Sequence, residues 1–155
     1  MDSKYTREDC IKETMEHISH VRFFMVQFAQ ELLKRALIHD QSKLESPEVE
    51  VFAEYTPKLK DCTYFSDEYK GFLKCMSEAL KHHYIHNSHH PEHYENGVCG
   101  MDLLDVVEML CDWKASSMRH NNGDIRNSLL INKDRFEIGD VLTSVFKNTL
   151  DKMDW

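Results

Sequence analysis

With five glycines and three prolines among 155 residues, this chain has few places where its backbone can turn sharply. Strand-type alternation is scarce as well, so the sequence predicts an all-α protein. A chain of this length suits one domain, residues 1–155, large enough to bury a core without disulfides. Thr6 reads as the N-cap of a first helix, with Glu8 and Asp9 in its first turn. Ile11, Met15, Ile18, Val21 or Arg22, Met25, Phe28 and Leu32 then recur at helical spacing, and His17 and His20 share a face. Between Ile18 and Ile38 there is no Gly, Pro, Asn or Asp, so local rules see one helix running to His39-Asp40.

Further along, Ser46 and Pro47 suit the cap and first position of a helix that runs to about Tyr55 and stops before Pro57. A loop from Lys60 to Phe65 follows. Ser66 then starts a helix bearing Phe72, Met76, Ala79, Leu80 and His83, with Gly71 inside it. Asn96-Gly97 and Asn121-Asn122-Gly123-Asp124 read as turns. Met101–Met118 is the clearest helix, with Leu103, Val107, Leu110 and Cys111 as apolar surface, and Asp140 to about Leu150 forms a terminal one.

The net charge of −8 gives no global attraction for nucleic acid or anionic membrane and argues against stable binding to a duplex. It leaves room for a phosphorylated small molecule, because a bound divalent ion reverses the local field. The five cysteines, Cys10, Cys62, Cys75, Cys99 and Cys111, are odd in number and contain no CxxC pair. They read as free thiols of a reducing, cytoplasmic compartment, with Cys75 and Cys111 in the core. No signal peptide is visible, and the apolar runs are too short to cross a bilayer. Trp113, Trp155, Phe23 and Phe24 read as core or interface residues. Self-association is left open.

Chemistry concentrates in His82-His83-Tyr84-Ile85-His86-Asn87-Ser88-His89-His90-Pro91-Glu92-His93, which holds six of the ten histidines. Imidazole is the commonest transition-metal ligand and a general acid or base near neutral pH. A solvated, His-rich helix end is the plainer reading. Asp105, Glu108 and Asp112 form a second feature, a row of acids on one helix face that repel each other unless a cation answers them. A solvated acidic face and a wall of a metal site are the two readings of that row.

His39-Asp40 at the end of an apolar helix, followed by Gln41-Ser42-Lys43-Leu44, resembles the HD-domain superfamily of metal-dependent phosphohydrolases. The usual pattern there is His-Asp-x-Gly-Lys; Ser42 replaces the glycine and Lys43 keeps the lysine. The run from His82 to Trp113 is also similar to a small uncharacterised family of phages and bacteria that carries His-His-Pro-Glu-His and a later Asp-Trp-Lys-Ala. The superfamily resemblance implies an HD-like bundle of about five to seven helices. It implies a metal set of His17 (or His20), His39, Asp40, His83 (among His82, His83 and His86), His90 (among His89, His90 and His93) and Asp112 (or Asp105). For His17 to reach His39, which lies about 33 Å away along a straight helix, the chain must bend back between Gln27 and Glu31. A hairpin there is expected.

Neutral imidazoles with carboxylates suit one or two divalent ions: Mn²⁺, Fe²⁺, Co²⁺, Ni²⁺ or Zn²⁺. The implied activity is hydrolysis of a phosphoric ester or anhydride in a nucleotide or other small phosphorylated molecule. In a phage this would reshape nucleotide pools or destroy an immune signal in the host cytoplasm. Lys43, Glu92 and His93 are the catalytic candidates, with Arg35 and Asn87 placed to contact substrate and Asn87 also suited to support the ligand histidines. An HD-type di-iron oxygenase and a non-catalytic metal-binding or interaction protein are the alternatives. No Gly-rich phosphate loop, GxSxG elbow or HExxH pair is present.

Overall fold

The computed structural model describes residues 5–62, 66–119 and 123–155. Seven α-helices and no strand occur among them, so the protein is all-α: α1 Arg7–Ile38, α2 Glu48–Asp61, α3 Asp67–Cys75, α4 Ser77–His86, α5 Leu103–Ser117, α6 Ile125–Arg135 and α7 Asp140–Met153. Short 3-10 turns occupy Gln41–Leu44, Pro91–His93 and Gly97–Gly100. By its contacts the chain divides into two units, Met1–Leu37 and Ile38–Trp155.

Among its described residues the first unit is helix from Arg7 onward. Thr6 caps α1 as its sequence suggests: Thr6 Oγ1 accepts from the Asp9 amide at 3.1 Å, and Asp9 Oδ2 accepts from the Thr6 amide at 2.9 Å. The expected hairpin is absent. Residues 7–38 form one helix, because nothing between Ile18 and Ile38 breaks the hydrogen-bond ladder and local rules prevail. None of its residues is buried.

The second unit starts with a sharp turn. Asp40 adopts a left-handed backbone (φ 55°, ψ 19°), a conformation that Asp tolerates better than most residues. α2 begins one residue later than expected, with Pro47 as its N-cap, and runs through Pro57 to Asp61. Ser66 caps α3 by accepting from the Tyr69 amide at 3.1 Å. The single helix expected after Ser66 is instead two, broken at Met76. α2 packs with α3, with α4 and with the turn at Gln41–Leu44. Residues 63–65 of the expected loop and Asn121-Asn122 of the expected turn lie outside the described residues.

The C-terminal helices hold the main apolar core, formed by Met109, Leu110, Trp113, Ile125, Leu129, Ile138, Phe146 and Leu150. Trp113 stacks on Phe136, with ring centres 6.2 Å apart, and meets Phe146 edge-on; Trp155 packs against the same cluster. Leu103 and the cysteines expected in the core, Cys75 and Cys111, are exposed instead. The reason is helical phase. On α5 the buried stripe is Asp105, Met109, Leu110 and Trp113, which turns Cys111 outward. With Met109 and Trp113 in the core, α5 holds Glu108 and Asp112 on an adjoining face.

Candidate metal centre

Four segments of the second unit bring their imidazoles and carboxylates together. The turn after α1 supplies His39 and Asp40, α4 supplies His83, the segment behind it supplies His89 and His90, and α5 supplies Glu108 and Asp112. Among the described residues they form three overlapping groups: Asp40 with His83, His89 and His90; His39 with His89 and Glu108; and His39 with Asp40 and Asp112. Within each group, one ligand atom per residue lies within 4.8 Å of every other.

The first group is the more enclosed. Asp40 Oδ1 lies 3.4 Å from His83 Nε2 and 3.5 Å from His89 Nε2. His90 Nε2 and His83 Nε2 lie 2.8 Å apart. Asp40 Oδ1 and His89 Nε2 are both buried and have no hydrogen-bond partner. Leaving such atoms unsatisfied costs roughly 1–3 kcal/mol each, so buried polar orphans are rare in folded proteins. Two of them converging with two further imidazole nitrogens match the donor set of a divalent transition metal.

The second carboxylate oxygen of Asp40 faces the more open side. Asp40 Oδ2 lies 3.4 Å from His39 Nε2, which is 3.9 Å from Asp112 Oδ1. Lys43 Nζ ion-pairs with the same Oδ2 and lies 5.4 Å from the centre of the Phe52 ring. His39 has a side-chain exposure of 31%, against 2% for His83 and for His89.

A surrounding layer of acceptors sets the ring orientations. Glu48, wholly buried at the start of α2, accepts from His82 Nδ1 at 2.7 Å and from His83 Nδ1 at 2.9 Å. With its proton on Nδ1, His83 presents the Nε2 lone pair to the centre. Glu108 does the same for His39, whose Nδ1 donates to it at 2.8 Å, and His89 Nδ1 lies 3.1 Å from the same oxygen. Asp105, also buried, anchors the segment that carries His89 and His90. It accepts from Ser88 Oγ at 2.6 Å and from the Tyr94 hydroxyl. Burial and that hydrogen bond push the Tyr94 hydroxyl up to about 12.

Charge follows burial. Burial alone would raise the Asp40 carboxyl, but Lys43, with His39 and His83, holds it below the usual carboxylate range. His83 is lowered by burial and by Lys43. His90 is pushed down to about 2, first by burial and then by His89 and His83. His39 is raised by its hydrogen bond to Glu108, and by Asp40 and Asp112, against the effect of burial. Lowered in this way, His83 and His90 favour the neutral imidazole beside a charged Asp40, the protonation states that metal ligation requires.

Five of the six expected ligands, His39, Asp40, His83, His90 and Asp112, fall in these groups; His17 belongs to none of them. His17 and Arg35 lie on α1, which is continuous where the hairpin was expected. His89 and His90 both take part, where the sequence left a choice between them. The choice between Asp112 and Asp105 falls on Asp112, because Asp105 closes the capping box of α5 by accepting from the Asp102 amide and holds Ser88 and Tyr94. Asn87, expected either to meet substrate or to support the ligand histidines, is buried and donates to the His83 carbonyl and to Ser42 Oγ, each at 2.8 Å. It is a support for α4. Glu92 is ion-paired with Arg135 at 2.6 Å, and His93 Nδ1 donates to the Tyr84 carbonyl at 2.7 Å. Neither belongs to a metal-ligand group. The sequence reading missed Glu48, whose place after a proline at a helix start signals only a favourable dipole contact.

Comparison with the curated proteins and with the solved structures gave no match. The chain belongs to DUF5662, a family of unknown function, whose profile matches residues 6–152.

Proposed function

We propose that this protein is a metal-dependent phosphohydrolase or phosphodiesterase that acts on a nucleotide or another small phosphorylated molecule. The observation that carries the reading is the convergence of Asp40 Oδ1 and His89 Nε2, buried and unpartnered, with the Nε2 atoms of His83 and His90. Asp40, His83, His89 and His90 would hold one ion with four protein donors, the complement typical of a closed site. His39, Asp40 and Asp112 would hold a second with three, leaving room for substrate on the more exposed side. Divalent ions held there supply Lewis acidity toward phosphoryl oxygens and an activated water.

The chain's own groups complete the reading. Asp40 serves both sites through its two oxygens, and its left-handed backbone turn aims it between α4 and α5. Lys43 now neutralises Asp40, and entry of metal cations would displace that ammonium toward the phosphate of a bound substrate. Glu48 and Glu108 hold ligand histidines in the tautomer that offers Nε2. The same donors suit iron, so an O₂-using di-iron enzyme is the second reading, favoured by the carboxylates Asp40, Glu108 and Asp112 around the open side.

The deciding experiment is elemental analysis of protein purified without a histidine tag, beside Asp40→Ala, followed by phosphate-release assays on nucleotides with Mn²⁺ or Fe²⁺. One or two transition-metal ions per chain, lost in the variant, with metal-dependent phosphate release support hydrolysis. Iron with a mixed-valent magnetic signature and no phosphate release transfers the assignment to the oxygenase. No bound metal, and no thermal stabilisation by any of these ions, refutes both.

A further inference from the structure

α1 is 32 residues long and none of its residues is buried, although it carries large apolar side chains along its length. Met15, Phe24 and Met25 are 65%, 63% and 67% exposed. Ile11, Met15, Ile18, Val21, Met25 and Phe28 follow steps of three and four, so they form one face. Helices in proteins draw most of their stability from packing an apolar face, and a patch of this size on water marks an interaction surface.

Charge along α1 is segregated. Residues 7–20 carry Arg7 and Lys12 against Glu8, Asp9, Glu13 and Glu16, which is 2 − 4 = −2 with histidine neutral. Residues 21–38 carry Arg22, Lys34 and Arg35 against Glu31, which is 3 − 1 = +2. The helix midpoint falls between Arg22 and Phe23, at the edge of its most apolar turn, Phe23-Phe24-Met25-Val26.

We infer that α1 is a dimerisation helix that pairs antiparallel with α1 of a second copy of this chain. Antiparallel pairing about the midpoint lays the acidic half of each helix along the basic half of the other. It also brings the two apolar central turns together and opposes the helix dipoles favourably. Parallel pairing would set like charge along like charge. Burying the apolar face of both copies removes on the order of 1,200 Å² from water, the lower end of the range for a specific, stable interface.

Sedimentation equilibrium of the full chain tests the pairing, and spin-label distances test its direction. The wild type is expected at twice the 18.3 kDa chain mass at micromolar concentration. Met15→Glu with Met25→Glu should raise the dimer dissociation constant at least about 30-fold, as loss of a hot spot does. Circular dichroism and the unchanged second unit report folding of that variant. For direction, Cys10 is exposed on α1 and takes the label, with the other four cysteines replaced by serine. Antiparallel pairing about the midpoint places the two Cys10 residues about 38 Å apart along the axis, while parallel pairing places them side by side. A monomer at all concentrations, a dimer indifferent to the Met15 and Met25 changes, or a short Cys10–Cys10 distance overturns the inference.

Discussion

Glu48 offers the sharpest test of how the centre is held. It is wholly buried, and its two oxygens accept separately from His82 Nδ1 at 2.7 Å and His83 Nδ1 at 2.9 Å. Glu48→Gln keeps the shape but turns one acceptor into an NH₂ donor, so one of the two histidines faces a donor with its own N–H. If that ring is His83, the clash is relieved by moving its proton to Nε2, which removes the lone pair that faces Asp40 and His90. Loss of such an outer partner typically weakens metal binding 10- to 100-fold, or about 1.4–2.7 kcal/mol. The assay is competition for Mn²⁺ or Zn²⁺ against a chromophoric chelator. Glu50→Gln, an exposed change on the same helix, is the control, and thermal melts of the chelated proteins report folding. Glu48→Gln with wild-type affinity and an unchanged melt would refute the claim that this carboxylate sets the tautomer of His83.

Three further outcomes follow from the same geometry. Asp40→Asn should abolish binding of both ions while the metal-free fold persists, since Asn tolerates the left-handed backbone at this position; elemental analysis with thermal melts checks it. His39→Ala should lower the metal content from two ions to one, because Asp40, His83, His89 and His90 still hold theirs; an unchanged count would refute the two-site division. In the metal-free protein His90 sits far below its ordinary value, at about 2. Its protonation therefore favours the unfolded chain. The stabilising contribution is full above the unfolded value near 6.5 and falls with pH, by about 2 kcal/mol at about pH 5. His39, raised mainly by Glu108, acts in the opposite sense: its contribution is full below about 6.5 and is lost as pH rises through its folded value. Urea denaturation of chelated protein should show an acid loss that shrinks by that amount in His90→Gln, and an identical loss in the two proteins would count against the burial of His90.

Local signals carried part of this protein into view. The scarcity of breakers, the Thr6 cap and the Met101–Met118 periodicity are statements about neighbouring residues, and the helices follow them. α6 escaped notice because Asn127, Ser128 and Asn132 dilute its apolar pattern, although Ile125 and Leu129 are core residues one turn apart. The hairpin expected between Gln27 and Glu31 came from a resemblance and ran against local chemistry, which prevailed.

For the centre, the sequence by itself determined the supply of ligands: His39-Asp40 after an apolar helix, six clustered histidines, and a row of acids on α5. Only the tertiary structure decided which of them meet. Asp105 and Asp112 are equivalent on a helical wheel, yet Ser88 and Tyr94 occupy the first and leave the second beside His39. His89 and His90 are adjacent in the chain, and the backbone behind α4 brings both rings to Asp40. Glu48 lies 35 residues from His83 in sequence and 2.9 Å from it in space. Periodicity describes what lies within a few turns, whereas a metal centre depends on groups that only packing makes neighbours.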